Sequence, residues 1–186
     1  MEIVANLRSL LKVIGRKDIS MAVTGKIDRK YMAHYIDAGS LCGGLTPKYE
    51  RLGKDLEEYN VELNPDTETS KNILGESTFK HNGYEVSSDA DPFYADTTSD
   101  LFTALQKIVD GRLKDDNLKT KAVEVHLWTE ATAGKYEAYQ QDCYVVPTSY
   151  GGDTSGYQIP FTVNYTGERV KGKFDISSGT FTADSK

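Results

Sequence analysis

The sequence predicts a β-rich α+β domain, a two-sheet β-sandwich or partly open barrel with one flanking α-helix over about residues 99–111. Three observations carry that prediction. Tyr157, Ile159, Phe161, Val163 and Tyr165 alternate with Gln158, Thr162, Asn164 and Thr166, the period of a strand with one buried face. Leu101, Phe102, Leu105, Ile108 and Val109 form a single apolar stripe at helical spacing, which needs a sheet to lie on. From about residue 120 onward the chain reads as strand after strand.

In chain order, Ile3, Val4, Leu7, Leu10, Leu11 and Ile14 share one helical face, with Arg8 and Lys12 opposite and Gly15 as a stop. Two readings stand for this segment. It is a short amphipathic helix, or it is an upstream extension and the chain proper starts at Met21. Gly15, Arg16, Lys17 and Asp18 can all be written with purine-rich codons, as in a bacterial ribosome-binding site. Residues 31–56 carry Gly39, Gly43, Gly44, Gly53 and Pro47 without a sustained period, which predicts a long loop with one short strand near Tyr49 to Leu52. Tyr59, Val61 and Leu63 then alternate with Glu58, Asn60 and Glu62, a strand with an acidic front, until Asn64-Pro65-Asp66 breaks it. Asn82-Gly83 is a preferred two-residue hairpin turn and would pair His81 with Tyr84, Lys80 with Glu85 and Phe79 with Val86.

Ser99 is placed to cap the helix and Gly111 to end it. Val123, Val125 and Leu127 alternate with Glu124, His126 and Trp128, and residues 143–148 form a further β-rich run. Pro160 indicates an edge or a bulge. Gly167-Glu168 predicts a tight turn into a return strand through Val170, Phe174 and Ile176, and Ser178-Gly179 turns the chain into Phe181.

The chain has 186 residues, enough for one compact domain. Its net charge of −6, from 28 acids and 22 bases, places it poorly for binding nucleic acid, which rests on Lys and Arg neutralising phosphates. Twelve tyrosines against one tryptophan suit half-buried surfaces such as sheet faces and subunit contacts. Cys42 and Cys143 lack metal-ligand spacing and read as two free thiols in a reducing compartment, with a single disulfide left open. There is no apolar run long enough to span a bilayer, and Arg8 and Lys12 interrupt the one candidate for a secretory core, so the expectation is a protein that does not cross a membrane.

Catalytic motifs are missing. The sequence has no Gly-x-Ser-x-Gly elbow, no Walker-type glycine loop and no His-Glu-x-x-His. His34 in the long loop, His81 beside a turn and His126 on a strand read as packed or surface histidines. Asp89, Asp91 and Asp96 surround Pro92-Phe93-Tyr94, but their spacing is not that of a calcium loop. Residues 151–156, Gly-Gly-Asp-Thr-Ser-Gly, look like an anion nest but precede a strand instead of a helix, and read as a mobile loop joining two strands. Asn164-Tyr165-Thr166 matches a glycosylation sequon but falls within a strand. The expectation is a non-enzyme with no cofactor and no metal.

Several stretches resemble the major tail tube proteins of long-tailed, siphovirus-like bacteriophages of Gram-positive bacteria. They are residues 51–60, RLGKDLEEYN; residues 72–76, NILGE; and residues 91–95, DPFYA. The most specific is residues 148–161, TSYGGDTSGYQIPF, continuing into Tyr165-Thr166-Gly167 and Lys171-Gly172-Lys173-Phe174-Asp175. The likeness runs in order from about Tyr31 onward and leaves out the first twenty residues. It divides the chain into an extension, 1–20, and one tail-tube-like domain, 21–186.

The resemblance implies a β-sandwich with a flanking helix that closes into hexameric rings, which stack into the conduit for DNA ejection. It implies that a long loop reaches from ring to ring, for which residues 37–56 are the candidate. The implied partners are copies of the chain itself and tape-measure, initiator and terminator proteins, with DNA only as non-sticking cargo and no membrane. The implied location is the virion tail, assembled in the host bacterial cytoplasm. Glu58 and Glu62, on the acidic front of the 57–63 segment, are the candidates to face the lumen. The alternative is another virion structural module, or a β-sandwich that binds a host-surface glycan.

Overall fold

The structure, a computed structural model, describes residues 23–54, 56–129 and 134–185. The N-terminal helix reading and the alternative start at Met21 lie outside the described residues. Among the described residues the fold is β-rich, with one α-helix and one curled antiparallel sheet. Its strands are β1 (Met32–Asp37), β2 (Tyr49–Leu52), β5 (Ser87–Ala90), β6 (Lys119–His126), β7 (Lys135–Pro147), β10 (Phe161–Asp175) and β11 (Thr180–Ala183). They lie in the order β11-β10-β7-β6-β1-β2, and β5 shares the outer edge of β10 with β11. Two separate hairpins complete the fold, β3 (Pro65–Lys71) with β4 (Ser77–Tyr84) and β8 (Gly151–Asp153) with β9 (Gly156–Gln158).

Among the described residues the only other sheets are the two hairpins, and the partly open barrel of the expectation takes the form of a half-barrel. On one face Ala33, Tyr35, Val123, Val125, Ala138 and Phe174 are buried together. Phe174 is the third strand away from Tyr35, yet their rings lie 4.6 Å apart, and Tyr49 on the end strand meets the same ring edge-on at 5.6 Å. Only a curled sheet brings those side chains together.

The other face is covered at one end by α1 (Asp100–Gly111), which buries Leu101, Leu105, Ile108 and Val109 against Ile36, Ala122, Cys143, Val145, Phe161 and Val163. Ser99 caps it, its Oγ accepting from Phe102 N–H at 2.9 Å. The Glu50 carboxylate, reaching over from β2, accepts from Leu101 N–H and Ser99 Oγ, a negative charge where the helix dipole is positive. At the other end Arg112, not glycine, takes the left-handed position (φ 46°), and Leu113 N–H returns to Ile108 O. Gly111 is needed for closeness instead: a Cβ there would sit 3.0 Å from the Leu113 side chain.

Several sequence expectations change. Residues 32–37, expected in a loop, form central strand β1. It is buried on both faces, so it shows no alternation to find. Asn82-Gly83 does not turn; it lies inside β4, where the ladder slips past the Asp66/Thr67 step and Gly83 takes φ 150° as part of a bulge. Gly167-Glu168 does not turn either. β10 runs straight through it with two extra residues between Thr166 and Val170, and Gly167 at φ 68° absorbs the bulge. Residues 57–63 form no regular strand; the segment is pinned by buried Tyr59 and joins β5 only at Glu62, through two bonds with Ser87.

Other expectations hold. β2, α1, β6 and the turn into β11 fall where the sequence puts them. The single strand expected over 157–165 is instead split: Pro160 lies outside any strand, between β9 and β10, its carbonyl accepting from Thr148 N–H, and the two strands belong to different sheets. Residues 151–156, expected as a mobile loop, are instead part of the tight β8–β9 hairpin. A Cβ at Gly152 would be 1.9 Å from Gly156 O, so glycine is obligatory there.

Candidate assembly surface

The β3–β4 hairpin stands apart from the domain. Every residue of β3 and nearly every residue of β4 is exposed, and the two strands pair only with each other. Its turn is built by Asn72, whose Oδ1 accepts from Leu74 N–H and Glu76 N–H, with Gly75 at φ 80°. Its root is clamped by Asn64 at φ 42°, which donates through Nδ2 to Glu85 O and to Ser87 Oγ. The arm is therefore hydrogen-bonded at its turn and its root and unsupported between them.

Its strands are mostly polar, but it also exposes large apolar side chains. Of eleven large hydrophobics exposed among the described residues, five lie between residues 63 and 84. Ile73 and Leu74 at the tip are 103 % and 78 % exposed, and Leu63, Phe79 and Tyr84 follow down the arm. Concentration on one projecting element makes the arm a candidate interaction surface, whereas scattered exposure would need no explanation.

Where the arm joins the domain there is a cleft of about 400 Å³. Val61, Leu63, Tyr84 and Val86 form one wall, and His34, Tyr59, Glu124, Tyr139, Tyr165 and Arg169 line the rest. The floor is polar but satisfied. The Tyr59 hydroxyl lies 2.6 Å from Ser88 Oγ, with Tyr165 3.4 Å from both. Burial pushes the Tyr59 and Tyr165 phenols above their ordinary range. Arg169 donates to Glu124 at 2.6 Å and lies 4.3 Å over the Tyr139 ring. Burial pushes Glu124 up, but the bond with His126 and the charge of Arg169 more than offset it, leaving the carboxyl below its usual range.

His34, expected in a loop, is a buried residue of β1 in this floor, 4.9 Å from the Tyr59 ring. Burial lowers its pKa from 6.5 to about 4. As pH falls from 6.5 towards 4 the unfolded chain takes up the proton before the folded one, so stability is lost over that window. Between about pH 7 and about pH 4.5 the loss from this residue is roughly 2 kcal/mol. Urea titrations at the two pH values are expected to show His34→Gln losing less stability than the parent by that amount; equal losses would contradict the assignment.

The remaining candidates do not converge on a chemistry. Asp89 accepts from Thr162, and Asp96 accepts from Lys54 and Thr98, each a separate structural use. His81 lies on the arm beside Tyr84 and His126 stacks on Trp128 at 4.1 Å. Cys42 and Cys143 are free, and burial raises the Cys143 thiol to about 12. Among the described residues no group of three or more His, Cys, Asp or Glu could hold a metal, and no helix is long and apolar enough to cross a membrane.

Glu58 and Glu62 are both exposed on the 57–63 segment, Glu58 accepting from Asn60 and Glu62 fixed by its backbone beside Ser87. The candidate ring-to-ring loop, 37–56, is held to the domain at its start: Ala38 and Leu41 are buried, Cys42 Sγ contacts Ala104 O at 3.6 Å, and Asp37 accepts from Ser40 and Lys48 N–H. Residues 43–48 are exposed, Leu45 almost wholly. A second projecting element is the 64–85 arm. Sequence reading missed it because its strands are polar and a turn was assigned to Asn82-Gly83. The available signal was Asn72-Ile-Leu-Gly75, a turn that carries two large apolar residues into solvent.

The chain matches no protein-family model and no curated protein.

Proposed function

We propose that this chain is a non-catalytic structural subunit that assembles with copies of itself into stacked rings, the tail tube of a long-tailed bacteriophage and its conduit for DNA. The observation that carries the reading is the projecting arm whose apolar tip has no packing partner among the described residues. Such an element is costly for a solitary protein and useful to one that meets copies of itself. The sheet adds support. It ends at β2 on one side and at β5 and β11 on the other, and strand ends left unclosed in one subunit can be covered when a ring closes. The sequence resemblance to tail tube proteins supplies the specific architecture.

Sedimentation velocity over a rising concentration series tests the reading. The expected record passes from subunit to large assemblies over a narrow range, with few species between. A single monomer boundary throughout, including in the presence of tail-initiator proteins, contradicts it.

In this assembly Glu58 and Glu62 face the lumen, where negative charge keeps DNA from adhering. Reversing both to Lys is expected to leave tubes intact and to slow or block ejection of the genome. An unchanged ejection rate in virions carrying the doubly reversed subunit removes these two residues from the lumen.

A further inference from the structure

Asn82 stands apart from the other asparagines the structure describes. Asn60, Asn64, Asn72 and Asn117 each donate through the side-chain amide, in that order to Glu58, to Glu85 O and Ser87 Oγ, to Glu76 and to Lys114 O. Asn164 lies within β10, paired with Tyr144 on one side and Ser87 on the other. Those five are followed by Val61, Pro65, Ile73, Leu118 and Tyr165, which are bulky or, in Pro65, lack the N–H. Asn82 is exposed, its amide has no hydrogen-bond partner among the described residues, and the next residue is Gly83. It is also the unpaired residue of the β4 bulge, because Gly83 pairs with Asp66 and His81 with Thr67. We propose that Asn82-Gly83 is a self-modifying site, where the asparagine closes on the following peptide nitrogen, loses ammonia and becomes a mixture of aspartate and isoaspartate.

The reactants are the two residues, hydroxide and water. Hydroxide removes the Gly83 N–H proton, and that nitrogen attacks Asn82 Cγ. The new N–Cγ bond forms, the Cγ–Nδ2 bond breaks, and the departing nitrogen takes a proton from water to leave as ammonia. Water then opens the five-membered ring at either carbonyl. One opening restores the ordinary backbone as aspartate; the other carries the side-chain methylene into the backbone as isoaspartate. The net exchange of ammonia for water makes the chain heavier by about 1 Da and adds one negative charge. Two features of the arm favour the closure. A Cβ built on Gly83 meets nothing within 4 Å, so the attacking nitrogen works in open space. Closure also turns the Asn82 backbone out of its extended form, which a strand inside a sheet resists. β3 and β4 pair only with each other, and such a two-stranded ribbon opens locally at little cost. The new carboxylate lies beside the Gly83–Asp66 pair, so the modified arm carries like charges close together at its root.

The test holds the full-length chain at mildly alkaline and mildly acidic pH, with and without urea. Digested samples are followed by mass spectrometry and by a methyltransferase specific for isoaspartate. The expected result is a gain of about 1 Da in the peptide that carries Asn82, faster at the alkaline pH and with isoaspartate present. It should run about tenfold or more faster than at Asn60, Asn64, Asn72, Asn117 or Asn164, and in the native chain stay within about tenfold of its rate in urea. Gly83→Ala should slow it by about tenfold or more, because the added methyl crowds the closing ring. Conversion in urea but not in the native chain overturns the proposal, since the arm would then hold Asn82 away from the reactive geometry. Aspartate without isoaspartate overturns the cyclic route. An unchanged rate in Gly83→Ala, or similar rates at all the asparagines, overturns the role of the Asn82-Gly83 pair.

Discussion

Replacing residues 66–83 by a short glycine-serine link is expected to yield a folded monomer that no longer assembles. The arm lends the domain almost no burial: β3 is exposed throughout, and its root bonds through Asn64, Glu85 and Ser87 survive the replacement. A free two-stranded hairpin is marginal in its own right, so unfolding free energy should change by no more than about 1 kcal/mol. Assembly loses the burial of Ile73 and Leu74, at roughly 1.5–3 kcal/mol each. That raises the concentration needed for assembly by about 100-fold or more. Urea titration and light scattering on the same preparation separate the two effects. Normal assembly by the armless chain would show that the arm serves something else.

The second large effect concerns the curled sheet. Phe174→Ala is expected to cost about 3–5 kcal/mol, a large share of the roughly 5–15 kcal/mol that holds a domain folded. Phe174 is completely buried and is the one ring touched by both Tyr35 and Tyr49, from strands at the far side of the sheet. Removing it leaves a void where the half-barrel closes on itself, and neither tyrosine can follow inward without breaking its strand's pairing. Urea denaturation read by tyrosine fluorescence measures the cost. A loss below about 1 kcal/mol would mean the curl is held elsewhere.

How legible the fold was depended on what each segment does. Helix α1 buries one stripe in a clear period, so Leu101 and Leu105 could be assigned from spacing alone, and Val123 and Val125 of β6 were legible because polar residues separate them, although Thr120 and Ala122 bury the strand's other face as well. Strand β1 failed that test for a physical reason. Ala33, His34, Tyr35, Ile36 and Asp37 are all buried, and a strand buried on both faces has no alternation to read. Asn82-Gly83 and Gly167-Glu168 failed for another. Glycine with positive φ serves a bulge as well as it serves a turn, and only strand pairing, which is not local, decides between them.

The assembly surface was the least legible part, because its defining property is the absence of tertiary contact. Thr67, Thr69, Ser70, Ser77 and Thr78 look like an ordinary loop, and nothing local says that Ile73 and Leu74 will have no core to enter. The resemblance drew attention to residues 37–56 as the reaching element; Leu41 and Cys42 tie the start of that segment to the helix, while residues 43–48 are exposed. A search for exposed apolar residues on a projecting element finds the arm at once.

The most direct measurement of self-assembly is negative-stain electron microscopy of the concentrated, purified chain. The account predicts hollow tubes or stacked rings of one diameter, absent when the arm is removed. A field of monomers at every concentration, with tail-initiator proteins supplied, would contradict it.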